Sequence, residues 1–256
     1  MPPVSTVAIV LSTIPYRETS RIVRLATRDL GVQSAIAKGA LRPRSRLAMC
    51  LHALTEGTAT LHLARTGDLH TLTQFEADTV RIGLADRLDR YAAASLLSEL
   101  ILRFAPASAH PESFDLLRDA LTILEVAPAI AVEPLALRSL WRMIAVLGFA
   151  PALTGCARCG VAVNAGPACF SPPDGGVLCP GCARGAAGGG ASAHLQAADR
   201  AHLAAWLDPA AELPVLDERH VMAHRRLLER YVRYHLADGA ALPALTFWAE
   251  RGWIAA

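Results

Sequence analysis

Two hydrophobic periods divide the chain. Over the first 75 residues apolar side chains come in short runs of period two, broken by turn residues. Val7, Ile9 and Leu11 alternate with Ala8, Val10 and Ser12, and the polar loop Pro15-Tyr16-Arg17-Glu18-Thr19-Ser20 follows. Residues 21–27 form a second run, ended by Asp29-Leu30-Gly31, and residues 32–37 a third. Residues 38–46 (KGALRPRSR) contain Gly39 and Pro43 and cannot continue a strand smoothly. Residues 47–63 read as a longer strand or hairpin around Glu56-Gly57, with Cys50 in its core, and residues 69–74 as a last strand. About five strands at this spacing predict a small barrel or sandwich.

After Phe75 the period lengthens. Leu84, Leu88, Tyr91, Ala92, Ser95, Leu96, Glu99 and Leu100 recur at three and four, which predicts one helix to about Phe104, stopped by Pro106. Residues 112–126 predict a second helix, and residues 134–147 a third with Gly148 as its C-terminal cap. Residues 151–184 have little periodicity, several glycines and prolines, and four cysteines. The tract 185–191 (GAAGGGA) reads as a flexible linker. Residues 195–207 predict a short helix and residues 218–236 a strong one, ended by Asp238-Gly239.

Composition narrows the class. Of the 256 residues 53% are hydrophobic, and the formal net charge is only +2, which together exclude a disordered chain. No apolar run is long enough for a transmembrane helix, and the opening residues lack the positive charge of a secretory signal. The expected location is the cytoplasm, with no membrane partner. Alanine fills 49 positions, so the helical half should pack closely. Of the 25 basic residues Lys38 is the single lysine, a bias that GC-rich coding produces.

The strongest motif is Cys156-Ala-Arg-Cys159 followed by Cys179-Pro-Gly-Cys182. Each C-x-x-C knuckle aims two thiolates at one ion, and two knuckles close a tetrahedral S4 site for one structural Zn2+, with no open position for a catalytic water. Cys169 reads as a buried small hydrophobe. A second constellation is Lys38, Arg42, Arg44 and Arg46, four cations within nine residues and no acid among them. On a small barrel such a loop edges the groove that tracks a nucleic-acid backbone; a solvated basic loop is the competing reading. Arg17 and Arg21 would extend the patch. The helix from Glu218 carries Arg219, Arg225, Arg226, Arg230 and Arg233 with His220, His224 and His235, and reads as amphipathic with a solvated basic face, or else as a site for an acidic peptide or DNA. The nine histidines are scattered and read as surface or core residues rather than ligands. No P-loop, H-E-x-x-H, G-x-S-x-G or dinucleotide fingerprint occurs, so nothing points to an enzyme.

The order of parts resembles the RecO family of bacterial DNA-repair recombination mediators. The likeness rests on AIVLSTIPYRETSRIVRLATRDLG, AKGALRPRSRL, TLTQFEADTV, LGFAPALTGCARCG, FSPPDGGVLCPGC and the YHL at Tyr234 to Leu236, nearly end to end. The resemblance implies an α+β multidomain fold. An N-terminal OB-fold β-barrel (1–78) binds nucleic acid. An all-α domain (79–150 and 193–256) follows, with a four-cysteine zinc-binding insertion (151–184). It further implies binding of single- and double-stranded DNA, annealing of complementary strands without ATP, and engagement of the acidic C-terminal tail of single-strand-binding protein. With RecR, and in some organisms RecF, it implies loading of RecA onto coated DNA. The family's DNA-binding loops map onto Arg17, Arg21, Lys38, Arg42, Arg44 and Arg46, and its metal ligands onto Cys156, Cys159, Cys179 and Cys182. Where relatives often carry a basic Lys-Ser-Arg element after the YHL, this chain runs Leu242-Pro-Ala-Leu-Thr-Phe-Trp248. The alternative reading is an RNA-binding accessory factor built from an OB barrel and a zinc ribbon; a protein-only scaffold is a further rival.

Overall fold

In the computed structural model, which describes residues 2–186, 192–237 and 239–250, the period-two segment becomes five strands. They are β1 (Val4–Tyr16), β2 (Ser20–Thr27), β3 (Gly31–Ala37), β4 (Glu56–His62) and β5 (Leu69–Thr79). They close into a barrel in the order β1-β2-β3-β5-β4, with β1 also pairing β4. All pairings are antiparallel except β3 with β5, where Ser34 lies opposite Leu69 and Ala37 opposite Leu72. This is the OB-fold barrel. β1 is long enough to serve two neighbours. Its first half pairs β4, its second half pairs β2, and a register shift between Val10 and Ser12 bends it from one to the other.

The residues that fill the barrel include Ala8, Val10, Val23, Leu25, Ala35, Ala37, Ala59, Leu61, Leu72 and Phe75. On β1 the interior set is thus Ala8 and Val10, while Ile9 is equally buried outside that cluster. Small alanines suit a narrow lumen. Gly57 is required where β4 closes on β5: a Cβ there would lie 2.0 Å from the carbonyl oxygen of Glu76.

Residues 47–55 do not extend a strand as the sequence reading expected. Arg46–Cys50 is a short helix, α1, and the β4 strand begins only at Glu56. Leu47, Ala48 and Met49 favour helix and do not alternate with polar residues. Leu47 and Cys50 pack against the barrel cluster and Leu51 belongs to it, so Cys50 is a core-side residue of a helix rather than of a strand.

The barrel shares a compact unit, Met1–Val126, with two helices, α2 (Leu88–Phe104) and α3 (Pro111–Val126). α2 buries Ala92, Ala93, Leu96, Leu97, Leu100 and Ile101, and each of the larger side chains contributes about 2 kcal/mol on leaving water. It starts one turn later than the periodicity suggested, because Ile82–Leu84 form a separate 3-10 turn. Polar ties complete the unit. Val32 N–H donates to the Pro106 carbonyl at 3.2 Å, and the Arg28 guanidinium grips Asp115 through two hydrogen bonds of 3.2 and 3.1 Å.

The second unit is Ala127–Ala256. It contains α4 (Ala129–Ile144), β6 (Ala168–Ser171), β7 (Gly176–Leu178), α5 (Pro180–Ala186), β8 (Ala193–Leu195), α6 (Ala197–Leu207), α7 (Glu218–His235) and α8 (Pro243–Glu250). β6 is the central strand of a small sheet between β7 and β8. Trp141, Trp206, Trp248 and Tyr231 are fully buried, and Trp141 and Phe170 both pack on Tyr231. α4 starts before Pro134 rather than at it. The carbonyl that this proline leaves without a donor belongs to Ile130, a residue 89% exposed in the first turn. Gly148, at φ 94°, ends the π-helical turn Ala145–Phe149 that extends α4. Strands β6 to β8 and helix α8 had no period long enough to read. Of the expected linker 185–191, Gly185 and Ala186 finish α5; the remainder, like Asp238, lies outside the described residues. No helix among the described residues is long and apolar enough to cross a membrane.

Candidate nucleic-acid groove and metal centre

The tight turn between β1 and β2 places Arg17 in a left-handed conformation, φ 54°. After β3 the chain turns at Gly39, φ 71°, which a side chain would strain. Leu41 N–H then donates to the Thr19 carbonyl at 2.8 Å and pins the basic loop beside the hairpin turn. Together these segments wall a groove of about 690 Å3, whose lining includes Tyr16, Arg17, Thr19, Ile36, Lys38 and Arg42. Glu18 is the one acid in its lining. The Arg17 guanidinium lies 5.2 Å from the Tyr16 ring. Three of the six sequence-predicted basic residues thus meet in one groove. Arg44, on the same loop, and Arg46, at the start of α1, are exposed beyond the lining, and Arg21 is half-buried on β2, opposite Ala37. Among the described residues none of the six is ion-paired. Unneutralised guanidiniums along a groove form a surface suited to phosphate oxygens.

The cysteines converge. One sulfur from each of Cys156, Cys159, Cys179 and Cys182 lies within 4.8 Å of all the others, and Cys169 is not part of the set. The first knuckle is closed by Gly160 N–H donating to the Cys156 carbonyl at 2.8 Å, with Gly160 at φ 78°. The second runs into α5, where Ala183 N–H donates to the Cys179 carbonyl. Ala157 N–H donates to the Val177 carbonyl at 2.8 Å, which brings the knuckles together. The Cys159 and Cys179 sulfurs are 3.8 Å apart. A tetrahedral site with metal–sulfur bonds of about 2.3 Å has edges of about 3.8 Å, so the thiols fit a metal ion. Hydrogen bonding from the Cys179 backbone, then from those of Cys159 and Arg158, pulls the Cys156 thiol down to about 6. Its neighbours Cys179 and Cys159 push the Cys182 thiol up to about 12. The Cys182 backbone likewise pulls the Cys179 thiol down, so two of the four sulfurs are held toward the thiolate, the form that binds a metal ion.

Two supports of this module escaped the sequence reading. Arg158, between the first pair of cysteines, donates Nε and Nη2 to the two oxygens of Asp174, both at 2.9 Å. Arg200 of α6 is buried and donates to the carbonyls of Leu153, Val163, Asn164 and Gly166. Neither has a signal in spacing, because each reaches far along the chain.

Helix α7 is amphipathic as expected, with a solvated basic face and a buried apolar stripe. Arg219, Arg226, Arg230 and Arg233 are exposed, but Arg225 and His224 are buried. The histidines are not all scattered: His202, His220 and His224 gather around Asp199.

The chain thus combines an OB barrel that bears a basic groove with helices and four cysteines placed closely enough to hold a metal ion. Comparison with known proteins makes this specific. A family model described as Recombination protein O N terminal matches residues 1–80, and one described as Recombination protein O C terminal matches residues 85–241. The DNA repair protein RecO of Anaeromyxobacter dehalogenans strain 2CP-C is 34% identical over 255 residues, 95% of both chains. That of Rubrobacter xylanophilus is 37% identical over 177 residues, 68% of this chain and 69% of its own. That of Nocardioides sp. strain JS614 is 37% identical over 182 residues, 68% of this chain and 72% of its own. The chain belongs to the RecO family, and its role lies in DNA repair by recombination.

Proposed function

We propose that the chain is a recombination mediator that binds single- and double-stranded DNA and anneals complementary strands without nucleotide hydrolysis. With RecR it loads RecA onto DNA coated by single-strand-binding protein, whose acidic tail it engages; RecF joins in organisms that use it. The DNA-binding residues are Arg17, Arg21, Lys38, Arg42, Arg44 and Arg46, acting from the barrel domain of residues 1–78. The observation that carries this reading is the groove that brings Arg17, Lys38 and Arg42 together without ion-pair partners. Two complementary strands repel through their phosphates. A basic surface that neutralises both raises their local concentration, and base pairing then supplies the free energy. With few aromatics and one tyrosine in the groove, binding leans on phosphate contacts more than on stacking. Cys156, Cys159, Cys179 and Cys182 hold one Zn2+, whose part is to staple the module. The chain acts in the cytoplasm, at the nucleoid.

The test is annealing of complementary oligonucleotides, bare and coated with single-strand-binding protein, by the parent chain and by a variant with Arg42, Arg44 and Arg46 changed to Glu. All three side chains are exposed, so the variant keeps its fold. Loss of annealing is expected; unchanged annealing would refute the assignment. Tighter binding to RNA than to DNA of the same sequence would favour an RNA accessory factor instead.

A further inference from the structure

Asp199 and His202 stand three residues apart on α6, and His220 and His224 four apart on α7, spacings that put each pair on one helix face. The two faces meet. His224 Nε2 is 3.4 Å from Asp199 Oδ1, and His220 Nε2 is 4.0 Å from the same oxygen. One donor atom from each of Asp199, His202 and His224 lies within 4.8 Å of the other two. His224 is 0% exposed and Asp199 6%. Yet among the described residues Asp199 Oδ1, His202 Nδ1 and both ring nitrogens of His224 have no hydrogen-bond partner. A protein seldom buries so many polar atoms together without something to satisfy them.

We propose that Asp199, His202 and His224 bind a divalent transition-metal ion, Zn2+ by preference, that ties α6 to α7. Imidazole nitrogens and a carboxylate oxygen take zinc at about 2.1 Å, and a tetrahedron of that size has edges of about 3.4 Å. That is the separation of His224 Nε2 from Asp199 Oδ1. Burial, helped by the neighbouring His202 and His220, keeps His224 uncharged at neutral pH, so its ring has a lone pair to give. His220 is oriented as an outer or fourth partner: its Nδ1 bonds Asp217 at 2.6 Å, leaving Nε2 facing the Asp199 carboxylate. Asp199 and His224 also line a cavity of about 160 Å3, together with His194, Arg226 and Arg230. The site shares no ligand with the cysteine cluster.

The experiment strips the full chain with chelator, reloads it with excess Zn2+ or Co2+, removes free metal and counts bound ions by elemental analysis. Two equivalents are expected for the parent and one for His202→Gln and for His224→Gln. The half-exposed His202 makes its variant the safer of the two for folding. The thiolate-to-cobalt charge-transfer band reads the cysteine site separately and is expected unchanged in both variants. Added Zn2+ is expected to raise the Tm of the parent beyond that of His202→Gln. A parent that binds no metal beyond the cysteine site, or a second equivalent that survives both substitutions, would overturn the proposal. In that event Asp199 and the histidines form a metal-free polar cluster.

Discussion

Arg225 donates from a single nitrogen, Nη1, to both oxygens of Glu133, at 2.7 and 2.8 Å. Its guanidinium also lies 3.8 Å from the Trp248 ring, so one cation joins α4, α7 and α8. Both partners are withdrawn from water, Arg225 almost wholly. Removing Glu133 would leave the buried Arg225 cation without this carboxylate. Glu133→Ala is expected to destabilise the second unit by about 3 kcal/mol. Adding Arg225→Met is expected to restore most of that loss. Denaturant unfolding of the two single variants and the double variant checks both.

The basic loop makes a quantitative prediction about salt. Each phosphate contact on a single strand releases about 0.7 counterion. Changing Arg42, Arg44 and Arg46 to Ala should therefore lower the slope of log affinity against log salt concentration by about 2. Fluorescence anisotropy of a labelled oligonucleotide over a salt series measures it, and an unchanged slope would place the DNA elsewhere.

Zinc removal should separate stability from annealing. Cys179→Ser is expected to lower zinc content by one equivalent per chain and to lower the Tm, because a metal site not formed in the unfolded chain contributes its binding energy to folding. Annealing of bare complementary strands is expected to persist, since the groove on the barrel uses none of the cysteines.

The Arg28–Asp115 pair predicts a pH dependence. The Arg28 guanidinium holds the Asp115 carboxyl below the ordinary carboxylate range. A carboxyl with a depressed folded-state pKa contributes stability that is fully present above its unfolded value, about 4, and lost as pH falls through the folded value. The Tm of the parent should therefore exceed that of Asp115→Asn near neutrality. The gap, small for so exposed a pair, should close below about pH 4.

Five strands were legible because each has a local period and a punctuating turn, and the cysteine pairs because metal ligation imposes a spacing. Residues 46–50 were misread because a run of five apolar and basic residues carries too little period to separate helix from strand. β6 to β8 are three or four residues long and are organised by the sheet itself and by the chain around the cysteines, not by alternation. The basic loop could be read as a patch, but not that Arg17, Lys38 and Arg42 would line one groove and Arg21 would not, because that depends on how the strands and turns are brought together. The Asp199–His202 and His220–His224 spacings were visible. Only the packing of α6 on α7 makes one cluster of them.

The clamp of Arg200 on four backbone carbonyls gives the cysteine module an anchor that owes nothing to sulfur. Chelation would open the cysteine knuckles yet leave the segment from Leu153 to Gly166 moored to α6. Amide exchange should then quicken around Cys179 to Cys182 well before it quickens near Val163. A chain from which a competing thiol had taken a bound ion would keep the module in place, ready to be reloaded rather than refolded.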